Sequence, residues 1–205
     1  MVGGHTAEGA EMSLALSVTG FAARECLRPK RAPHAGDVLI LTKALGTGVL
    51  LAAHMQGRSF SPWIDAALQA MCDDNACAAR LLSEYTVHAL TDVTGFGLAG
   101  HLGEMLEESG LVAEVELCAL PVLAGALEML AAGVRSTLHA RNAKLPASIA
   151  LRDTAPDPAR YDLLFDPQTS GGLLAALPAH EGSACLRTLQ EAGCVAAIIG
   201  TVRAH

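Results

Sequence analysis

Residues 87–109 read VHALTDVTGFGLAGHLGEMLEES, and the class of the fold turns on them. A short apolar run over 87–92 ends on Asp92. Gly95 and Gly97 follow, and a helical pattern extends from 95 to 109, where Gly110 stops it. A strand feeding a helix through a glycine turn is a building unit of α/β architecture. Such strand ends are common ligand positions. A helix N-terminus favours anions, and a carboxylate beside it can hold Mg2+ against phosphate oxygens. Asp92 is therefore a candidate metal ligand; the other reading of its spacing is an N-cap. His101 lies one and a half turns into the helix, where a satisfied structural histidine is commoner than a ligand.

Outward from this stretch, the pattern repeats. Upstream, residues 37–43 (DVLILTK) form a buried strand bounded by Gly36 and the Gly46/Gly48 pair, with a helical turn or two over 49–55. Ser61-Pro62 offers an N-cap and a first-turn proline. Trp63, Ile64, Ala67, Leu68, Met71, Ala78, Leu81, Leu82 and Tyr85 then predict one long helix over 62–85, with Trp63 in the core. Residues 24–36 carry basic residues and two prolines and read as a solvated linker. Residues 12–22 alternate loosely and suit a strand. Downstream, 112–117 alternates with period two, Pro121 opens a helix ending near Gly133, and 134–160 reads as a long loop with one short helix. A strand at 172–177, a helix at 180–192 and a strand at 195–202 complete the chain. The fold class is α/β or α+β, a mixed sheet with packed helices.

Composition narrows the function. The 205 residues are 51% hydrophobic but only 3% aromatic, and 38 are alanine, so the core is aliphatic and small. The apolar run 117–134 contains Glu128, Pro121 and Gly125; a central acid costs roughly 2.5–3.5 kcal/mol on insertion scales, so it predicts a buried helix and no membrane partner. No signal peptide is expected at the N-terminus. The net charge of −7 repels nucleic acid at long range, so none is expected as a partner. Bound phosphate must then be held locally. Six cysteines without a secretory signal point to a reducing, cytoplasmic setting. Cys72 and Cys77 have a C-x4-C spacing that admits zinc, with buried small hydrophobes as the default; Cys118, Cys185 and Cys194 read as packing residues.

Two further glycine clusters lie at element boundaries. Gly3, Gly4, His5 and Thr6 form one; paired glycines let backbone N–H groups approach an anion, and a plain turn is the alternative. The other is Asp166-Pro167-Gln168-Thr169-Ser170-Gly171-Gly172, a tight polar loop entering a buried strand, either structural or ligand-binding.

Together GGHT, TDVTGFGLAGHLGEM and DPQTSGGLL, in this order and with GDVLILTKALGTGVL between them, resemble the selenophosphate synthetase (selenide, water dikinase) family of the aminoimidazole ribonucleotide synthetase superfamily. The resemblance runs through nearly all of the chain. It implies a reaction of ATP, selenide and water giving selenophosphate, AMP and phosphate, with Mg2+, in a homodimer. It matches Asp92 to the family's magnesium ligand, and Gly3, Gly4, His5 and Thr6 to the segment that contacts nucleotide phosphates. It also implies another half-chain before GGHT that supplies the catalytic cysteine or selenocysteine, the lysine after it and further magnesium-binding aspartates. No catalytic residue is therefore expected here. Residues 1–22 are expected to be the tail of an N-terminal ATP-binding domain with one remnant strand, 23–35 a linker, and 36–205 the C-terminal domain. The alternatives are a non-catalytic dimerisation or nucleotide-binding module left by truncation or gene splitting, and another ATP-dependent member of the superfamily.

Overall fold

The computed structural model describes residues 3–6, 8–10 and 14–204. Its framework is β1 (Asp37–Leu41), α1 (Thr47–Met55), α2 (Ser61–Cys72), α3 (Ala76–Leu82), β2 (Ala89–Asp92), α4 (Gly97–Leu106), β3 (Leu111–Val115), α5 (Ala126–Ala131), α6 (His139–Asn142), β4 (Ile149–Leu151), α7 (Pro158–Leu163), β5 (Leu173–Pro178), α8 (Ala179–Glu191) and β6 (Ala197–Ala204). The strands form one sheet in the order β2-β5-β1-β6-β3-β4. All neighbours are antiparallel except β3 and β4.

The continuous apolar run of β1 has a simple cause: the sheet is covered on both faces. Leu39 and Leu41 point into a cluster with Val49, Leu50, Ile64, Leu98, Leu102, Leu130 and Leu163, from α1, α2, α4, α5 and α7. Val38 and Ile40 point the other way, against Ala78, Leu81, Cys185 and Leu189 of α3 and α8. The alternation of side chains along a strand thus divides one five-residue run between two cores. Trp63 packs on the larger core, as expected. Its indole lies over Gly125, where a Cβ would come within 2.1 Å of the ring. Gly125 also has φ +84, so the helix α5 starts there and nowhere earlier.

Several expectations need correction. The helix expected over 62–85 is two helices, because Asp73, Asp74 and Asn75 take the backbone out of helical geometry. Asp74 Oδ1 accepts from Ala76 N at 2.9 Å, and Asn75 Nδ2 donates to the Gly171 carbonyl at 2.9 Å. Short polar side chains offer the backbone alternatives to the helix ladder. Pro121 does not open a helix; it follows a 3-10 turn, Leu117–Ala119, and its carbonyl accepts from Leu45 N. The stretch 134–160 holds two short helices and β4 besides. Asp157 caps α7, accepting from Arg160 N at 2.9 Å ahead of Pro158. The segment read as a linker is not merely solvated: Pro29 accepts from Leu90 N on the edge strand β2, Pro33 is buried, and Lys30 and Arg31 pair with Glu104 of α4 and Glu107 at its C-terminal cap.

The strand expected over 12–22 does not form across its described part. Residues 14–22 make no ladder, and Leu14, Leu16, Val18 and Phe21 are exposed, Phe21 completely. Met12 and Ser13 lie outside the described residues. The cysteine reading is corrected as well. Cys185 is buried, but Cys72, Cys77 and Cys118 are exposed. Among the described residues no group of three His, Cys, Asp or Glu could hold a metal ion. No described helix is long and apolar enough to cross a membrane.

Candidate functional site

Three strand ends converge at one edge of the sheet. β1 leads there into Thr42 and Lys43, β2 finishes in Asp92, and β5 begins there after Gly172. Asp92 lies opposite Leu173 in the ladder. Thr42 Oγ1 accepts from Leu173 N at 2.8 Å, and Val93 N donates to the Gly172 carbonyl at 2.9 Å. The loops 91–97 and 166–172 are therefore laid back to back. Gly171 permits this contact: a Cβ there would sit 2.0 Å from the Val93 carbonyl oxygen.

The loop 166–172 clamps the start of α1. Gln168, nearly fully buried, accepts from Gly46 N at 3.0 Å, Thr47 N at 3.3 Å and Thr47 Oγ1 at 3.2 Å. Thr47 Oγ1 in turn accepts from Thr169 N at 3.0 Å. Gln168 Nε2 donates to Asp166 Oδ2 at 3.0 Å, and the Gly48 and Val49 N–H groups act on the same carboxylate. A helix start has orphan donors, and here a distant loop satisfies them. The clamp is not free of cost. Asp166 is 0% exposed, and its Oδ1 has no well-formed hydrogen bond. Burial pushes the Asp166 carboxyl up to about 7, although those N–H groups and Gln168 pull it down.

Asp92 presents its carboxylate to solvent at the end of β2, and no described residue hydrogen-bonds it. It caps nothing: the N-cap of α4 is Phe96, and its helix start has no side-chain cap. Beside it, Thr94 Oγ1 lies 3.1 Å from His101 Nε2. His101 is 5% exposed, and burial, followed by the Lys30 charge, holds its imidazole below the ordinary histidine range. His101 Nδ1 is 3.3 Å from Glu104 Oε2, without good alignment. The imidazole is therefore a neutral brace between Thr94 and α4, the structural role expected of it.

On the other side of the same edge lies a cleft of about 580 Å3, lined by Thr42, Lys43, Asp73, Asn75, Cys77 and Cys194 among others. Lys43 Nζ donates to the carbonyls of Ala70, Asp73 and Ser170. It ties the end of α2 to the 166–172 loop, and burial lowers its pKa from the usual lysine value. Neither Lys43 nor Asn75 stands out in the sequence as a site residue. The one available signal was a lysine closing an apolar strand; Asn75 was hidden inside an apparent helix.

Gly3, Gly4, His5 and Thr6 are exposed and in irregular backbone, and a Cβ at Gly3 or Gly4 would meet none of the described residues within 4 Å. No hydrogen bond among the described residues brings them to Asp92. As a donor set for Mg2+, the residues at the edge fit in one respect: Asp92 offers one free carboxylate. Mg2+ keeps several waters and takes one or two carboxylates together with substrate phosphates. A single exposed ligand suits that habit, whereas a closed protein cage is absent among the described residues.

Comparison with known proteins agrees with the fold. Residues 34–205 match the family model of the AIR synthase related protein, C-terminal domain. The chain is 38% identical over 203 residues to a selenide, water dikinase of Pelobacter propionicus, covering 98% of this chain and 58% of that protein. It is 37% identical over 205 residues to one of Aeromonas salmonicida, covering 100% and 59%. The chain thus spans less than two thirds of the length of these relatives. In fold it is similar to thiamine-monophosphate kinase from Stenotrophomonas maltophilia, with a TM-score of 0.65 at 16% identity over 90% of this chain and 52% of that one. It is also similar to the hydrogenase maturation protein HypE in complex with ATP, with a TM-score of 0.62 at 22% identity over 86% and 45%. The mixed six-stranded sheet, the two helical layers and the family match lead to one assignment: the chain belongs to the AIR synthase related family, of which it carries the C-terminal domain.

Proposed function

We propose that this chain is the C-terminal part of a selenide, water dikinase, which makes selenophosphate, AMP and phosphate from ATP, selenide and water for selenocysteine and selenouridine formation. The observation that carries this reading is 37–38% identity over essentially the whole chain to proteins of that name. The edge chemistry supports it. Phosphoryl transfer needs positioning and charge neutralisation more than a protein nucleophile. Asp92 would supply one oxygen ligand to Mg2+, and the ion would neutralise phosphate charge. Thr94 and His101 hold the turn that carries Asp92. The 166–172 loop fixes β5 against that turn, and is a scaffold for the site more than a ligand loop. Gly3, Gly4, His5 and Thr6 would meet nucleotide phosphates across a homodimer of cytoplasmic chains. The exposed apolar residues 14, 16, 18 and 21 favour that dimer contact, and with it the second reading of a dimerisation module.

The catalytic groups would lie outside this chain, so the purified chain with ATP, Mg2+ and selenide should form negligible AMP. Adding the N-terminal part of the Pelobacter propionicus relative in trans should give selenide-dependent AMP. Asp92→Asn should then lower the rate on the order of tenfold or more, with partial recovery at high Mg2+. Selenide-independent ATP turnover in the reconstituted pair would favour another superfamily reaction. Full AMP formation by the chain alone would show that it is catalytically complete.

A further inference from the structure

The cleft beside Lys43 gathers three of the six cysteines: Cys72 at the end of α2, Cys77 in the first turn of α3, and Cys194 in the turn between α8 and β6. All are reduced. Sequence distance hides this, since 117 positions separate Cys77 from Cys194, and the packing of α3 and α8 on one face of β1 brings them together. Cys77 is exposed, Cys194 is half-buried, and both line the same cleft, close enough for Cys77 to act on the Cys194 thiol. No group of three ligands for a metal exists among the described residues, so zinc is not the use of this cluster.

The geometry points to Cys77 and Cys194 as an oxidisable dithiol, a modification site closed to a disulfide by a small-molecule disulfide such as oxidised glutathione. The exposed Cys77 thiolate attacks one sulfur of glutathione disulfide, forms a mixed disulfide and releases one glutathione. Cys194 loses its proton and attacks the Cys77 sulfur, and the second glutathione leaves. Two protein thiols are oxidised by two electrons in all, and one glutathione disulfide is reduced to two thiols. Burial raises the Cys194 pKa while Lys43 opposes the rise, which suits Cys194 to the slower, resolving step. The closed bond would pin the α2–α3 break to the α8–β6 turn across the mouth of the cleft. Lys43 links that break to the Ser170 carbonyl, on the loop that packs against the sheet edge carrying Asp92.

The test is oxidation of the purified chain with glutathione disulfide, followed by thiol counting and non-reducing peptide mapping. Trypsin combined with a protease that cuts before aspartate separates Cys72 from Cys77 at Asp73, and Cys185 from Cys194 at Arg187. The expected result is loss of two thiols per chain, a product lighter by two hydrogen atoms, and one linked peptide pair containing Cys77 and Cys194, all reversed by dithiothreitol. Cys194→Ser should trap glutathione on Cys77, and Cys72→Ser should leave the link intact. A Cys72–Cys77 link, glutathione retained on Cys77 of the unaltered chain, or no loss of thiols would overturn the assignment.

Discussion

Residues 3–6 and 166–172 look alike as strings: each pairs two glycines with hydroxyl and polar side chains at an element boundary. Their structural fates are opposite. The first stands clear of the domain, with open space around Gly3 and Gly4. The second is driven into the interior, with Asp166 and Gln168 buried and Gly171 pressed on the Val93 carbonyl. Paired glycine therefore reports only that backbone must come close to something. In one case that something is another strand end of the same domain. In the other, no described residue lies within 4 Å of where a Cβ would stand.

The largest effect that can break this contrast is at Gly171. Gly171→Ala places a methyl group 2.0 Å from a backbone oxygen that cannot swing away. Overpacking of this kind costs about 3 kcal/mol or more, so the thermal midpoint should fall by roughly 6–12 °C for a domain of this size. A fall below about 2 °C would show that the loop gives way, and that its burial is incidental.

A middle-sized effect is set by Asp166. Its folded value of about 7 lies above the unfolded 3.8, so the fold prefers the neutral acid. Its contribution is fully present below 3.8 and is lost as pH rises through 7. The part of that loss that falls between about pH 5 and pH 7 is on the order of 2–3 kcal/mol. Asp166→Asn cannot ionise, so the drop in stability between about pH 5 and pH 8 should shrink by a large part of that amount. Denaturant unfolding at both values measures it, and an unchanged slope would mean that Asp166 is charged in the fold.

The smallest effect on stability belongs to the other loop. Removing residues 1–20 should move the thermal midpoint by no more than about 1 °C, because those among them that are described bury nothing. The same deletion should convert a dimer to a monomer by mass in solution. A dimer that survives the deletion would place the contact elsewhere.

How far the sequence could be read follows from where the deciding contacts lie. β1 and β5 were legible because burial on both faces leaves an unbroken apolar run. Asp92 was legible as a strand-end acid feeding a helix through two glycines. The break after Cys72 was not, since the bond that holds it runs from Asn75 to Gly171, across 96 positions. β4 has three residues, too few to show a period. The cleft was invisible for the same reason as the break: Lys43, the start of α3 at Asn75 and Cys77, and Cys194 come from separate parts of the chain and meet only after the sheet has formed.

Trp63 is the one tryptophan of the chain. Its ring lies flush on the Gly125 backbone and edge-on to Phe60, with centroids 5.6 Å apart. Indole emission in this protein therefore arises from the α2–α5 junction alone. It reports on the larger helical layer and is silent about the α3–α8 layer, so a fluorescence melt and a whole-chain probe coincide only if both layers unfold as one unit.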